Sequence, residues 1–340
     1  MQFKHVNLLA TCALLFISMT GTAVCERGPL QVQNRFPLFL GLLTPRPTSA
    51  LLPAKGNAEV SFGVDYSSIQ FNQKSDRAFV LVDLESTVIE FAFKFSVNRR
   101  LALQVELPIV SLNSGFMDHF LAGYHDALGV PNYGREDRPS NAFAYDAAIN
   151  GHPWIKGDSG SLQLADTTFS IQRSISLPGA GKPWAASLLW RLKLPTGDSH
   201  AGVGSGNYDV GLFMPTQWTK GRWDLYLMPG FILHGDPEVP GAQAAARRSW
   251  SLFTGASYQY HPKWRWLVQV DYFSSPIEQT GIGMLDAGGL ELAAGFRYAF
   301  HSRWRLEAAF IEDVFTLTAP DFTVHLGLIW LYRKECNDRQ

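Results

Sequence analysis

The chain has 340 residues, with 29 Lys and Arg against 30 Asp and Glu, and charged residues make up only 17% of it. That balance leaves no basic face for nucleic acid, and three cysteines are too few for a disulfide scaffold. A load of 23 Phe, 11 Tyr and 10 Trp beside so few charges suits a surface partly solvated by lipid rather than by water.

The N-terminus reads as a secretory signal over residues 1–25. Lys4 and His5 precede an apolar run from Leu8 to Met19, too short to span a bilayer as a helix. Small residues follow, and cleavage after Ala23 or after Cys25 fits them. Val24 ahead of Cys25 disfavours lipidation. If Cys25 survives, it has Cys336 as a possible partner, although two unpaired thiols are the simpler reading. Residues 26–55 carry Pro29, Pro37, Pro45, Pro47 and Pro53 among apolar residues, and are expected to lie beneath a barrel or to thread into it as a plug.

From residue 56 to 332 the pattern is that of strands. Alternating runs fall near 57–70, 78–97, 101–114, 162–177, 184–195, 207–219, 223–234, 249–260, 264–275, 288–300, 304–313 and 321–332. In one of them Trp264, Trp266, Val268, Val270 and Tyr272 share a face, while Arg265, Gln269 and Asp271 share the other, with Leu267 as the exception. Side chains on a strand alternate between two faces, so one face is apolar with aromatic ends and the other is small, polar or charged. Arg is therefore expected to be excluded at Val268 and accepted at Gln269.

Short and long links alternate along these runs. The short ones carry a recurring phrase, Gly181-Lys182-Pro183-Trp184, Lys220-Gly221-Arg222-Trp223, His261-Pro262-Lys263-Trp264 and His301-Ser302-Arg303-Trp304. A Trp at one height on every second strand is an aromatic girdle. The pattern predicts an all-β fold: a closed antiparallel transmembrane β-barrel of about twelve strands, with both termini on the short-turn, periplasmic side.

The longest link, 115–161, begins with helical spacing of Phe116, Phe120, Tyr124 and Leu128, so a long, partly helical extracellular loop is expected there. Asp118, His119, His125 and Asp126 lie within it, but two His six apart fall on different helical faces, and no metal is expected. Arg135 to Arg138 read as solvated charges or lipopolysaccharide contacts. Leu194-Pro195-Thr196-Gly197-Asp198 with Gly202, Gly204 and Gly206 lacks the Lys and the helix of a phosphate loop, and reads as a wide hairpin turn. No Gly-x-Ser-x-Gly occurs. No catalytic residue, cofactor or enzymatic activity is expected.

The last strand holds His325, Gly327, Trp330 and Tyr332 in the order polar-x-Gly-x-x-aromatic-x-aromatic. That resembles the C-terminal signal read by the barrel-assembly machinery of outer membranes. A polar tail, 333–340, follows it. Further stretches resemble one family: Gly28-Pro29-Leu30-Gln31-Val32-Gln33-Asn34-Arg35-Phe36-Pro37, Gly115-Phe116-Met117-Asp118 with His125-Asp126-Ala127-Leu128-Gly129, Leu194-Pro195-Thr196-Gly197-Asp198, and Glu312-Asp313 with Ala319-Pro320-Asp321-Phe322. The mature chain is similar throughout to an outer-membrane family of Gram-negative bacteria catalogued as domain of unknown function 3187. The resemblance implies a barrel and a location in that membrane, and it implies no chemistry.

The inward face is mixed in sign. Lys94, Glu106, Arg191, Lys193, Asp209, Asp224, Arg265, Asp271, Glu291, Arg297, Arg305 and Glu307 are the candidate lumen residues, with Glu59, Asp65 and Glu90 beside them. They form either a selective pore or a network of paired charges filling a narrow barrel. The function expected is a passive pore or transporter for a small, amphipathic or apolar solute. The alternatives are a non-conducting structural or assembly barrel and, behind it, a lipid-modifying barrel enzyme.

Overall fold

A computed structural model of the protein describes residues 25–129, 138–160, 162–177, 182–236, 248–314 and 318–334. Residues 1–24 of the signal segment, Cys336 and most of the tail lie outside the described residues, as do Arg135, Glu136 and Asp137.

The strands among them are β1 (Ala58–Lys74), β2 (Ala78–Asn98), β3 (Leu101–Asn113), β4 (Ala144–Ile149), β5 (His152–Lys156), β6 (Leu162–Leu164), β7 (Thr167–Ser176), β8 (Trp184–Leu194), β9 (Asp209–Phe213), β10 (Thr216–Lys220), β11 (Trp223–Leu233), β12 (Arg248–His261), β13 (Trp264–Phe273), β14 (Gly289–Tyr298), β15 (Trp304–Asp313) and β16 (Phe322–Tyr332). Every pairing is antiparallel, and β1 pairs with both β2 and β16, so the sheet closes on itself. Closure leaves the wall without a free edge.

Two spans are interrupted. Against β3, Glu106 faces Thr168 and Ile109 faces Leu164, so the β6–β7 span carries one extra residue, a bulge at Ala165-Asp166. Between β9 and β10 stands Pro215, which has no N–H to give the ladder. The register against β11 still runs on, from Phe213 opposite Gly230 to Thr216 opposite Leu227. With β4 and β5 set aside as an added hairpin, twelve strands form the barrel.

The two faces are sharply different. Val268 is 52% exposed and Gln269 is 4% exposed, one residue apart on β13. Phe91, Phe93, Leu103, Leu227, Trp250, Trp266 and Leu326 are exposed around the outside. A continuous apolar belt on a closed barrel fits lipid as its solvent. At the short-turn end the aromatic residues pair across strands, with ring centroids 4.4 Å apart for Trp264–Tyr298, 4.7 Å for Trp223–Tyr258 and 6.4 Å for Trp304–Trp330. Leu267, the exception to the alternation, is buried and packs with Leu30 and Val32 of the N-terminal segment.

The link after β3 differs from the long, partly helical loop expected. Helix α1 is confined to Asp118–Leu128, and Phe116 and Met117 at its start donate backbone N–H bonds to Oε1 of Glu85, at 3.0 and 2.6 Å. Residues 144–156 instead form the hairpin β4–β5. β2 is 21 residues long and overruns β3, which stops opposite Glu85. The overrun Ala78–Asp83 would be a bare edge, and β4 pairs with all of it. The demand for backbone partners turns the loop into wall.

Candidate functional site

The site is the lumen. Its contents come from the N-terminal segment rather than from the wall alone. Prolines fix φ and remove donors, so this segment cannot join the ladder and crosses the interior as irregular chain. It starts at the short-turn end, where the Cys25 N–H donates to the Pro262 carbonyl at 2.8 Å. Cys25 is buried and forms no disulfide among the described residues, and burial pushes its thiol pKa up, which makes it a poor nucleophile. The Leu30 N–H donates to Gln269 Oε1 at 3.0 Å.

The segment turns at Pro37–Phe39 near the long-loop end. There the Tyr145 hydroxyl donates to the Pro37 carbonyl at 2.8 Å, and Phe36 and Phe39 meet Phe71 and Phe273 edge-on. These rings join an apolar cluster with Val80, Val82, Tyr145, Ile155, Val203, Ile277 and Leu285 that closes this end. The Gly-rich turn 196–206 reaches inward to the same place. A Cβ at Gly41 would run into the backbone of Gly204, so two loops approach here at a distance only glycine permits.

The segment then descends. The Leu43 N–H donates to Asp209 Oδ2 at 2.8 Å, Arg191 Nη1 donates to the Thr44 carbonyl at 2.8 Å, and Gln172 Nε2 donates to the Ser49 carbonyl at 2.7 Å. It leaves the lumen where Gly56 donates to the Ser96 carbonyl at 2.8 Å.

All twelve candidate lumen residues lie on the inner face. Eleven are buried and Lys94 is half-buried. Most are paired. Arg191 bonds Glu106, Arg265 bonds Asp224 and Arg297 bonds Glu307. Lys193 Nζ reaches Asp166 Oδ2 at 2.6 Å, the carbonyls of Gly41 and Asn207 at 2.9 Å and Asp209 at 3.6 Å, so it ties segment, bulge and turn together. Asp271 and Glu291 stand directly opposite each other on β13 and β14, and Asp271 Oδ1 has no hydrogen-bond partner among the described residues.

Sequence reasoning missed the partners supplied by the segment. Arg35 lies 2.6 Å from Asp65 and 3.4 Å from Glu90, while Arg46 bonds Glu90 and lies 3.0 Å from Glu106. An arginine in a run without period carries no signal of facing inward. Two residues of the proposed assembly pattern, His325 and Gly327, also face the lumen, and His325 Nδ1 lies 2.5 Å from Asp65 Oδ1. Trp330 and Tyr332 face outward.

Below the segment, at the short-turn end, a cavity of about 450 Å3 remains open. Arg46, Lys94, Arg297 and Arg305 line it together with Pro47, Leu51, Leu52 and Leu331. The lumen is therefore closed by an apolar cap at one end, bridged by ion pairs in the middle and hollowed into this cavity at the other end.

The sequence matches the family described as "Protein of unknown function (DUF3187)" over residues 6–332. None of the curated proteins matches it. Among solved structures, the COG4313 outer membrane channel from Pseudomonas putida F1 is similar, with a TM-score of 0.54 and 14% identity over 83% of this chain and 97% of that one. A weaker likeness, with a TM-score of 0.40 and 12% identity over 83% and 90% of the two chains, is to a protein described as the CymD monoaromatic hydrocarbon channel.

Proposed function

We propose that this chain, which belongs to the DUF3187 family, is an outer-membrane channel of a Gram-negative bacterium whose resting lumen is closed by its own N-terminal segment. The carrying observation is the nature of the filling. A twelve-strand barrel is wider than the eight-strand kind that wall side chains can fill, and here the extra space is taken by residues 26–55, held by hydrogen bonds and ion pairs through the middle of the lumen and by the apolar cluster of Phe36 and Phe39 at the long-loop end. Water can replace the polar contacts, and opening further requires that the apolar cap be unpacked. The cavity below the segment supplies a vestibule. The similar fold of a protein described as an outer membrane channel agrees with this reading.

The solute is small and amphipathic. The inner wall is ringed by charges, so a wholly apolar solute fits it less well. No step of bond chemistry is assigned to the barrel.

Proteoliposome swelling and single-channel recording test the reading. The intact protein should conduct weakly, and a variant lacking 28–53 should conduct several-fold more, once heat-modifiable migration shows that its barrel is closed. A folded deletant as silent as its parent would favour the second reading, a structural barrel. The density of ion pairs spanning the lumen is the observation on that side.

Assembly is expected to depend on Trp330 and Tyr332, which face lipid near the short-turn end, the part of the pattern the assembly machinery would meet. Replacing both by Ala should cut the yield of heat-modifiable barrel more than truncation before Arg333. The truncation removes only the Lys334 N–H to Asn57 contact of 3.0 Å and an exposed Arg333–Glu26 approach of 3.8 Å among the described residues. Normal yield from the double mutant with failure of the truncation would reverse that assignment.

A further inference from the structure

The 450 Å3 vestibule is of the size of a small-molecule site. Its lining holds six cations, Arg27, Arg46, Lys94, Arg297, Arg305 and Arg333, against two acids, Glu26 and Glu59. Three of the cations spend their charge on acids behind the lining: Arg27 on Asp224, Arg46 on Glu90 and Glu106, and Arg297 on Glu307. Arg333 stands 3.8 Å from Glu26, and Glu59 accepts a bond from Gln31 Nε2 at 2.9 Å.

Lys94 and Arg305 reach no carboxylate within 4 Å among the described residues. Lys94 Nζ has one partner, Gln172 Oε1 at 2.7 Å, and an ammonium has three N–H bonds to give. Arg305 is fully buried. Its Nη1 is committed to the carbonyls of His301 and Trp304, at 2.7 and 3.0 Å, and Nη2 makes a long 3.4 Å bond to Ser302. Nε has no hydrogen-bond partner among the described residues. A buried guanidinium with an unspent donor on its side is an incomplete interaction, and a carboxylate matches the unfilled edge. Pro29, Pro47, Leu51 and Leu52 supply an apolar stretch of the lining, and Gln31, Ser49, Asn57 and Gln104 add uncharged polar groups beside it.

We infer that the vestibule is a binding site for an amphipathic anion, a carboxylate on a small apolar body, with the head held by Lys94 and Arg305 and the body against the prolines and leucines of the segment. This names a class of solute for the channel read above and rests on that reading only for the solute's onward passage, since binding at equilibrium needs no conduction.

The test is calorimetric titration of the full chain in lipid nanodiscs with octanoate and with octanol, its uncharged counterpart. One octanoate should bind per chain, at least about tenfold more tightly than octanol. Lys94→Gln should weaken octanoate by about tenfold or more, the loss of one charge-assisted contact, and leave octanol unchanged. Arg305→Lys, which keeps the charge and loses the planar fork, should weaken octanoate less than Lys94→Gln. Heat-modifiable migration verifies each barrel. Failure of octanoate to bind, equal affinity for the two ligands, or indifference to Lys94→Gln would overturn the site. Octanoate binding by a protein whose folded 28–53 deletant stays silent in liposomes would overturn the channel reading and leave the site standing. A conducting barrel that ignores octanoate would do the reverse.

Discussion

Exchange of Arg35 and Arg46 for Gln is expected to free the N-terminal segment while the barrel stays closed. Both arginines are buried, and between them they face Asp65, Glu90 and Glu106. Removing one partner of a buried pair leaves the other charged and unsolvated, which costs about 3–5 kcal/mol. The wall does not depend on those bonds, because its ladder is complete without the segment. The loss therefore falls on docking of the segment. Conductance should rise several-fold, and residues 28–53 should become open to added protease. Adding Glu90→Gln to the double mutant should restore part of the closure, since Glu90 is the carboxylate both arginines share. Release without any gain in conductance would mean that the wall charges alone close the pore. No release at all would mean that the apolar contacts of Phe36 and Phe39 hold the segment unaided.

Val268→Arg is expected to impair folding into lipid vesicles by about 2–4 kcal/mol, the cost of an arginine on the lipid face at mid-membrane depth. Val268 is half exposed and lies at the middle of β13. Gln269→Arg is the internal comparison, and the structure changes what it should do. From the strand pattern alone Gln269 faces an open polar lumen, yet its side chain both accepts from the Leu30 N–H and donates to the Leu30 carbonyl, at 3.0 and 3.4 Å. Arg at this position should still insert, since it lies one strand repeat from Asp271 and its unpartnered Oδ1. It should also dislodge the segment at Leu30. Equal folding losses for the two variants would show that the faces of β13 are misassigned.

These two experiments divide along the line between local and distant information. The twelve spans were legible in the sequence because alternation is a property of neighbouring residues: Val268 and Gln269 need nothing but their places in a strand to be assigned opposite faces. The lipid belt and the short-turn aromatic ring follow from the same period, as does the inward side of every candidate lumen charge. Closure was legible too, because an even run of antiparallel strands with a patterned last strand leaves β1 and β16 as the natural pair.

Partners were not legible. Arg35 meets Asp65 and Glu90 only once β1 and β2 are side by side and an aperiodic, proline-rich run has folded between the walls. Lys193 finds Gly41, Asp166 and Asn207 through a bulge, a turn and the segment together. The hairpin β4–β5 exists because β2 overruns β3, a mismatch that no loop sequence reveals. Period two determines which way a side chain points, and it is a short-range property. What the side chain finds there depends on chain closure over tens to hundreds of residues, and only the tertiary structure decides it.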